Sequence, residues 1–251
     1  MDRYIDMHCH ILPGVDDGAQ SMEETQRMLN DGIPGGSAVY HRDSPPPSPQ
    51  GEGNAAAAAR AAEKKCVRKP RRSASPEGLS WDRDLFWART FPKKLQENSV
   101  LTMNRTRYVL VEFSPSDPFE YIHRGIQRIQ MKGYIVILAH AERYECLRED
   151  FDNVEYLDEM GVLIQVNAGS ITGSGGRKLK KFVKALLESE MVFCVGTDAH
   201  DNEKRAPHMK KAAEYVKKKY GEDYARRIFF SNAAEMLRKK KRNESRESNK
   251  S

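Results

Sequence analysis

From residue 107 onward the sequence alternates short, uninterrupted apolar runs with longer stretches of helical period. The runs lie at 108–113, 134–138, 162–166 and 191–195, with helical stretches at about 117–131, 154–160, 177–188, 207–219 and 224–239. A strand that is apolar at successive positions is buried on both faces, so the pattern predicts a parallel sheet or barrel covered by helices. The N-terminus has the same β-then-α order. A short strand is expected at 4–8, followed by Ser21-Met22-Glu23-Glu24, a capping box that opens a helix running to about residue 30. Gly133 and Gly161 stand where helix C-caps belong. The length of 251 residues suits one large domain or two small ones.

Polar, ligand-type residues sit at the ends of these runs. His8 and His10 close the first strand, with Asp16 and Asp17 in the next turn; Glu112 ends the run at 108–113. His140 follows the third run, and Thr197-Asp198-Ala199-His200 follows the last. In parallel α/β folds the carboxyl ends of the strands converge on one face. That convergence brings together His8, His10, Asp17, Glu112, His140, Asp198 and His200. A lone histidine at a strand end is more often structural than a ligand, but seven such residues at four converging ends point to a metal site. In extended backbone, residues i and i+2 point the same way, so both imidazoles of His8 and His10 reach one ion while Cys9 turns away. The Asp198/His200 pair repeats that spacing. Imidazole mixed with carboxylate, without thiolate, suits Mn²⁺, Fe²⁺ or Zn²⁺ and permits more than one ion. Cys9, Cys66, Cys146 and Cys194 lack a CxxC spacing and read as free thiols.

The segment Asp6-Met7-His8-Cys9-His10-Ile11-Leu12-Pro13-Gly14-Val15-Asp16-Asp17-Gly18 resembles the PHP (polymerase and histidinol phosphatase) superfamily. So do Val111-Glu112-Phe113, Leu138-Ala139-His140-Ala141-Glu142-Arg143-Tyr144 and Gly196-Thr197-Asp198-Ala199-His200. Within that superfamily the chain is similar to the bacterial manganese-dependent protein-tyrosine phosphatases of capsule and exopolysaccharide operons. The resemblance covers about 1–33 and 92–237. It implies an α/β fold, a distorted (β/α)7 TIM-like barrel forming one domain over 1–237. It also implies a centre of up to three Mn²⁺ ions, with Fe²⁺ or Zn²⁺ as alternatives, that hydrolyses phosphotyrosine. By motif, His8, His10 and Asp198 would hold one ion, Glu112 and His140 a second, and Asp17 and His200 a third. Arg143 and Arg205 would grip the phosphate, since guanidinium groups make bidentate contacts with it. Ions of such a centre activate water for in-line attack on phosphorus. The implied substrate is a phosphotyrosine protein, a bacterial tyrosine kinase of polysaccharide export. Another phosphoesterase of the superfamily, such as a histidinol phosphatase, is the alternative enzyme.

A net charge of +6 would suggest a nucleic-acid partner, but its placement argues otherwise. Residues 34–91 carry 10 basic and 6 acidic side chains and residues 238–251 carry 7 and 2, leaving −3 elsewhere. The stretch 34–91 also holds both tryptophans and 7 of the 12 prolines. It and the basic tail from 238 to 251 read as disordered. Between Ile33 and Pro92 there is no Thr-Pro-His and no Gly-x-Glu segment, where the resemblance places a further histidine ligand and a metal-bridging glutamate.

Codons exist for residues 41–51, HRDSPPPSPQG, that read one nucleotide later as IATPHHHPHRG. The same offset can turn residues 80–88, SWDRDLFWA, into PGTEIYFGQ. Both missing motifs return in one offset, so 34–91 reads as a frameshifted translation. The barrel is then disrupted at its second and third β/α units, and the activity of this chain is expected to be impaired. The nucleotide sequence encoding 30–95 tests this: an offset frame without those motifs refutes it. The competing reading is a non-catalytic interaction protein whose Pro-rich arm binds SH3-like domains. No apolar run approaches the roughly 20 residues of a membrane helix, and no signal peptide is recognisable, so a cytoplasmic protein is expected.

Overall fold

The computed structural model describes residues 4–13, 17–32, 86–87, 102–203, 206 and 208–238. Among the described residues five strands form one sheet, parallel throughout and in sequential order. They are β1 Phe86–Trp87, β2 Tyr108–Glu112, β3 Ile135–Leu138, β4 Leu163–Asn167 and β5 Val192–Gly196. The helices are α1 Met22–Gly32, α2 Phe119–Gln130, α3 Glu145–Glu149, α4 Asp152–Glu159 and α5 Ala168–Thr172. They continue with α6 Arg177–Glu188, α7 Met209–Tyr220, α8 Glu222–Arg226 and α9 Asn232–Arg238. The expected parallel α/β architecture is therefore present.

The two-residue period of the strands divides the core. Val109, Val111, Val136, Leu138, Ile164 and Val166 pack against helical residues such as Ile122, Ile126 and Ile129 of α2 and Val183 and Leu186 of α6. The alternate positions Tyr108, Leu110, Ile137 and Cys194 form a second cluster with Ile5, Met7, Met103 and Met236. Both faces are covered, which is why the strands read as unbroken apolar runs. Glu112 and Gln165 share the parity of this second set, so the polar residues at the strand exits belong to that face.

The N-terminal segment docks beside the exit of β5. Ile5 N donates to Phe229 O, Asp198 N to His8 O and His10 N to Ala199 O, at 2.9, 2.8 and 2.9 Å. The strand expected at 4–8 is reduced to a single parallel bridge between Cys9 and Ala199. A regular ladder is interrupted because Asp198 is left-handed, with φ 53°, and because Ile5 is engaged by a π-turn, Arg227–Ser231, instead of β5. That π-turn splits the helix expected at 224–239 into α8 and α9. The short helices α3 and α5 were not foreseen, since five residues show no readable period.

Gly133 and Gly161 take φ of +85° and +76°, as helix C-caps require. At α1 the capping box forms in part. Ser21 Oγ accepts from Glu24 N at 3.1 Å, while Glu24 Oε2 takes Gln20 N rather than that of Ser21. Within 34–91 only Phe86 and Trp87 are described, as β1, paired with Val111 and Glu112. The rest of that stretch, the tail beyond 238 and Arg205 lie outside the described residues.

Candidate metal centre

At the carboxyl ends of the strands, four imidazoles gather around one aspartate. His8 Nε2 and His10 Nε2 lie 3.4 and 3.3 Å from Asp198 Oδ1. His10 and His200 stack with ring centroids 3.7 Å apart, and the His8 ring is 5.4 Å from that of His140. His140 Nε2 meets Glu112 Oε1 directly. Asp17, on the exposed turn after the N-terminal segment, places Oδ1 3.2 Å from His200 Nε2. Glu112, His140, Asp198 and His200 come from the exits of β2, β3 and β5, His8 and His10 from the N-terminal segment docked beside β5, and Asp17 from the turn that follows it. Cys9 turns to Ala199 O at 3.7 Å, away from the histidines. Arg143 joins the group through an ion pair between its Nη2 and Asp198 Oδ2.

Two sets of ligand atoms lie close enough to share an ion: His8, His10 and Asp198, and His10, Asp17 and His200, each within 4.8 Å. His10 belongs to both. Tautomers make the case for a cation sharper. His200 Nδ1 lies 2.9 Å from Asp198 O, a carbonyl that can only accept, so Nδ1 carries the proton. Its Nε2 faces the carboxylate of Asp17, a contact met either by a second proton on the ring or by a cation between the two groups. His140 Nδ1 is buried without a hydrogen-bond partner among the described residues. Three carboxylates and four imidazoles beside one guanidinium form a donor set suited to hard or borderline divalent ions.

The electrostatics follow from burial. Desolvation pushes His8 down to about 3, against the pull of Asp198. Burial alone would raise Asp198, but His8, the hydrogen bond from His10 and the charge of Arg143 hold it well below the usual carboxylate range. Glu112 behaves alike: desolvation acts upward and its bond to His140 brings it below its ordinary value. Asp6 is pushed up to about 7 by burial, although it accepts from Thr197 N, Thr197 Oγ1 and His8 N.

Several supporting residues were not singled out from the sequence. In the segment after β3, Glu142 is fully buried and its Oε1 accepts from Asn167 N at 3.0 Å. Tyr144 Oη accepts from Phe113 N at 3.1 Å, bracing the end of β2. Arg148 reaches back to the carbonyls of Glu142 and Arg143 and fixes the turn between them. Gln165 and Asn167 extend this network along β4. A signal was available: Gln165 interrupts an otherwise apolar buried strand, and a buried amide needs partners.

Gly196 makes room where β5 meets the N-terminal segment. A Cβ there would stand 2.6 Å from His8 Cβ and 3.0 Å from Gln165 Nε2.

A family model described as capsular polysaccharide synthesis, CpsB/CapC, matches residues 4–238. The tyrosine-protein phosphatase CpsB of Streptococcus pneumoniae is 28% identical over 245 residues, 93% of this chain and 98% of that protein. The tyrosine-protein phosphatase YwqE of Bacillus subtilis (strain 168) is 30% identical over 227 residues, 87% and 86% of the two chains. A crystal structure from work on YwqE and CpsB, described as unique metal-dependent tyrosine phosphatases, superposes with a TM-score of 0.74 at 28% identity. It covers 93% of this chain and 94% of its own.

Proposed function

The chain belongs to the CpsB/CapC family of capsular polysaccharide synthesis, and on that footing we propose that it is a metal-dependent protein-tyrosine phosphatase. Its substrate is phosphotyrosine on a protein, a bacterial tyrosine kinase of polysaccharide export, met in the cytoplasm. The observation that carries this reading is the pair of ligand sets sharing His10, with Arg143 against Asp198.

In this reading the sheet is the described part of a distorted (β/α)7 barrel, one domain over 1–237. Support comes from the N-terminal segment, which hydrogen-bonds to the exit of β5 while β1 occupies the opposite edge of the sheet. His8, His10 and Asp198 hold one ion, Glu112 and His140 a second, and Asp17 and His200 a third, with Mn²⁺ as the metal. Bound ions supply Lewis acidity and a water of lowered pKa at the phosphorus. The residues do the rest. Arg143, about one-third exposed at the rim, releases Asp198 to grip the non-bridging phosphate oxygens, and Arg205 is its proposed second arm. His200 is held by its Nδ1–H bond to Asp198 O, and His140 by its contact with Glu112, so neither ring swings as substrate enters.

A ligand histidine and a bridging glutamate are absent from 34–91, and losing ligands removes both charge and geometry. The chain as written is therefore expected to hydrolyse phosphotyrosine poorly. The experiment compares it with a version whose residues 34–91 are replaced by the offset reading, both loaded with Mn²⁺ and assayed on a phosphotyrosine peptide and on histidinol phosphate. Expected is Mn²⁺-dependent, peptide-selective activity at least about tenfold higher in the restored chain. Normal activity of the unaltered chain refutes the impairment. Preference for histidinol phosphate refutes the substrate.

A further inference from the structure

β4 contributes no ligand to the proposed centre, yet its side chains touch ligand-bearing segments on both sides. Gln165 Oε1 accepts His140 N at 2.8 Å and lies 3.2 Å from His8 Nδ1. Gln165 Nε2 donates to Asn167 Oδ1 at 3.0 Å, and Asn167 Nδ2 donates to Asp198 Oδ2 at 3.0 Å. Gln165 and Asn167 are both buried. The pairing of β4 with β5 shifts register between Ile164 and Gln165, so that Ile164 faces Val192 but Gln165 faces Cys194. Such irregularities re-aim side chains next to sites.

These contacts have one consistent polarity. The His140 amide can only donate, so it fixes the oxygen of the Gln165 carboxamide toward His140 and His8. Flipping that amide would set its NH2 against a donor and remove the donor to Asn167. With the oxygen so placed, His8 must carry its proton on Nδ1, leaving the Nε2 lone pair on the side of Asp198. The same oxygen holds the backbone of His140, which is left-handed at φ 32° and ψ 54°. The absence of a side chain at Gly196 makes room for the arrangement, since a Cβ there would crowd both His8 and Gln165.

We propose that Gln165, seconded by Asn167, is a positioning residue for the metal centre: its single carboxamide oxygen selects the His8 tautomer and pins the His140 turn. The proposal rests on the reading of His8 and Asp198 as ligands. Partners that orient metal-bound histidines are typically worth about 10- to 100-fold in metal affinity.

The test measures Mn²⁺ affinity calorimetrically in the full chain and in Gln165→Leu, Gln165→Glu and Asp198→Asn. Circular dichroism and urea unfolding in chelator check that each variant folds. Gln165→Leu is expected to bind at least about tenfold more weakly, whereas Gln165→Glu, which keeps the acceptor, stays within about threefold. A residue that merely fills space predicts the opposite order, because leucine suits a buried site and a carboxylate does not. Gln165→Leu within threefold of the parent, or Gln165→Glu as weak as Gln165→Leu, overturns the proposal. Asp198→Asn separates the two layers: if it binds Mn²⁺ undiminished, the ligand reading itself fails. If it loses Mn²⁺ while Gln165→Leu does not, only the role of Gln165 fails. An independent readout needs no Gln165 variant. Nitrogen-15 spectra of labelled histidine in the metal-free chain, assigned with His8→Gln, should show His8 protonated on Nδ1. The Nε2–H form overturns the proposal.

Discussion

Gly196→Ala isolates the close packing of β5 against the N-terminal segment. The φ of Gly196 lies outside the left-handed region, so alanine carries no backbone strain there and the effect is purely steric. In an open site such a change stabilises a protein by about 0.4–1 kcal/mol, through the lower entropy of the unfolded chain. Here the new Cβ would meet His8 Cβ at 2.6 Å and His8 N at 3.2 Å, against a carbon–carbon optimum of about 3.5–4.0 Å. His8 cannot yield by a rotamer change, because the clash is with its Cβ and backbone. That backbone is held by Asp198 N on its carbonyl and by Asp6 Oδ1 on its amide. The shortfall of about 1 Å must be met by separating two backbone segments, an overpacking that typically costs about 1–3 kcal/mol. Net destabilisation of about 1–2 kcal/mol is expected, a fall in Tm of about 2–4 °C per kcal/mol for a chain of this size. Urea and thermal unfolding in chelator read the stability, and Mn²⁺ calorimetry reads the accompanying displacement of His8. A Gly196→Ala protein as stable as the parent, or more so, with unchanged Mn²⁺ affinity, would refute the argument.

Two further outcomes follow from the centre's electrostatics. Replacing Arg143 by alanine should weaken binding of inorganic phosphate to the Mn²⁺-loaded protein by about 10- to 100-fold, the scale of a charge-assisted hydrogen bond. Arg143→Lys should recover only part of this, and titration calorimetry reads both without turnover. An Arg143→Ala protein with parental phosphate affinity removes Arg143 from the substrate site. His8, pushed down by burial from 6.5 to about 3, remains neutral in the fold while the unfolded chain takes up a proton below 6.5. Its contribution is therefore present in full above pH 6.5 and lost as the pH falls toward 3, with a slope approaching about 1.4 kcal/mol per pH unit. Metal-free His8→Gln should unfold with a flatter pH dependence than the parent between pH 6.5 and 4.5; equal slopes contradict the assignment.

The site was more legible than the fold's edges because its signal is local. Alternation fixes which way His8 and His10 point, and an apolar run fixes where a strand stops, so the seven ligand-type residues could be placed on one face without knowing strand order. The Phe86–Trp87 strand was invisible, since two residues carry no period. Gln165 was hidden for the opposite reason. Four apolar neighbours made 162–166 read as a buried strand, and the residue that broke the pattern was absorbed into it. The bond from Phe113 N to Tyr144 Oη and that from Asn167 N to Glu142 Oε1 join residues 31 and 25 positions apart. No spacing rule reaches that far.

The backbone at the centre shows how the pieces depend on one another. His140 and Asp198 are both left-handed without being glycine, with φ of 32° and 53°, a conformation that costs on the order of 1–3 kcal/mol at each residue. Each is secured by its own amide, His140 N on Gln165 Oε1 and Asp198 N on His8 O. The strain at His140 is thus opposed by a hydrogen bond to β4, and the strain at Asp198 by a bond to His8, which is itself a proposed ligand. Relaxing Asp198 releases the carbonyl of His8, and releasing His8 leaves Gln165 with one donor fewer. His8, His140 and Asp198 therefore cannot adjust one at a time: the docking of the N-terminal segment, the turn after β3 and the exit of β5 form one unit. A cation bound by His8, His10 and Asp198 would tie two of those segments directly, adding its binding energy to the contacts that already hold the strained residues in place.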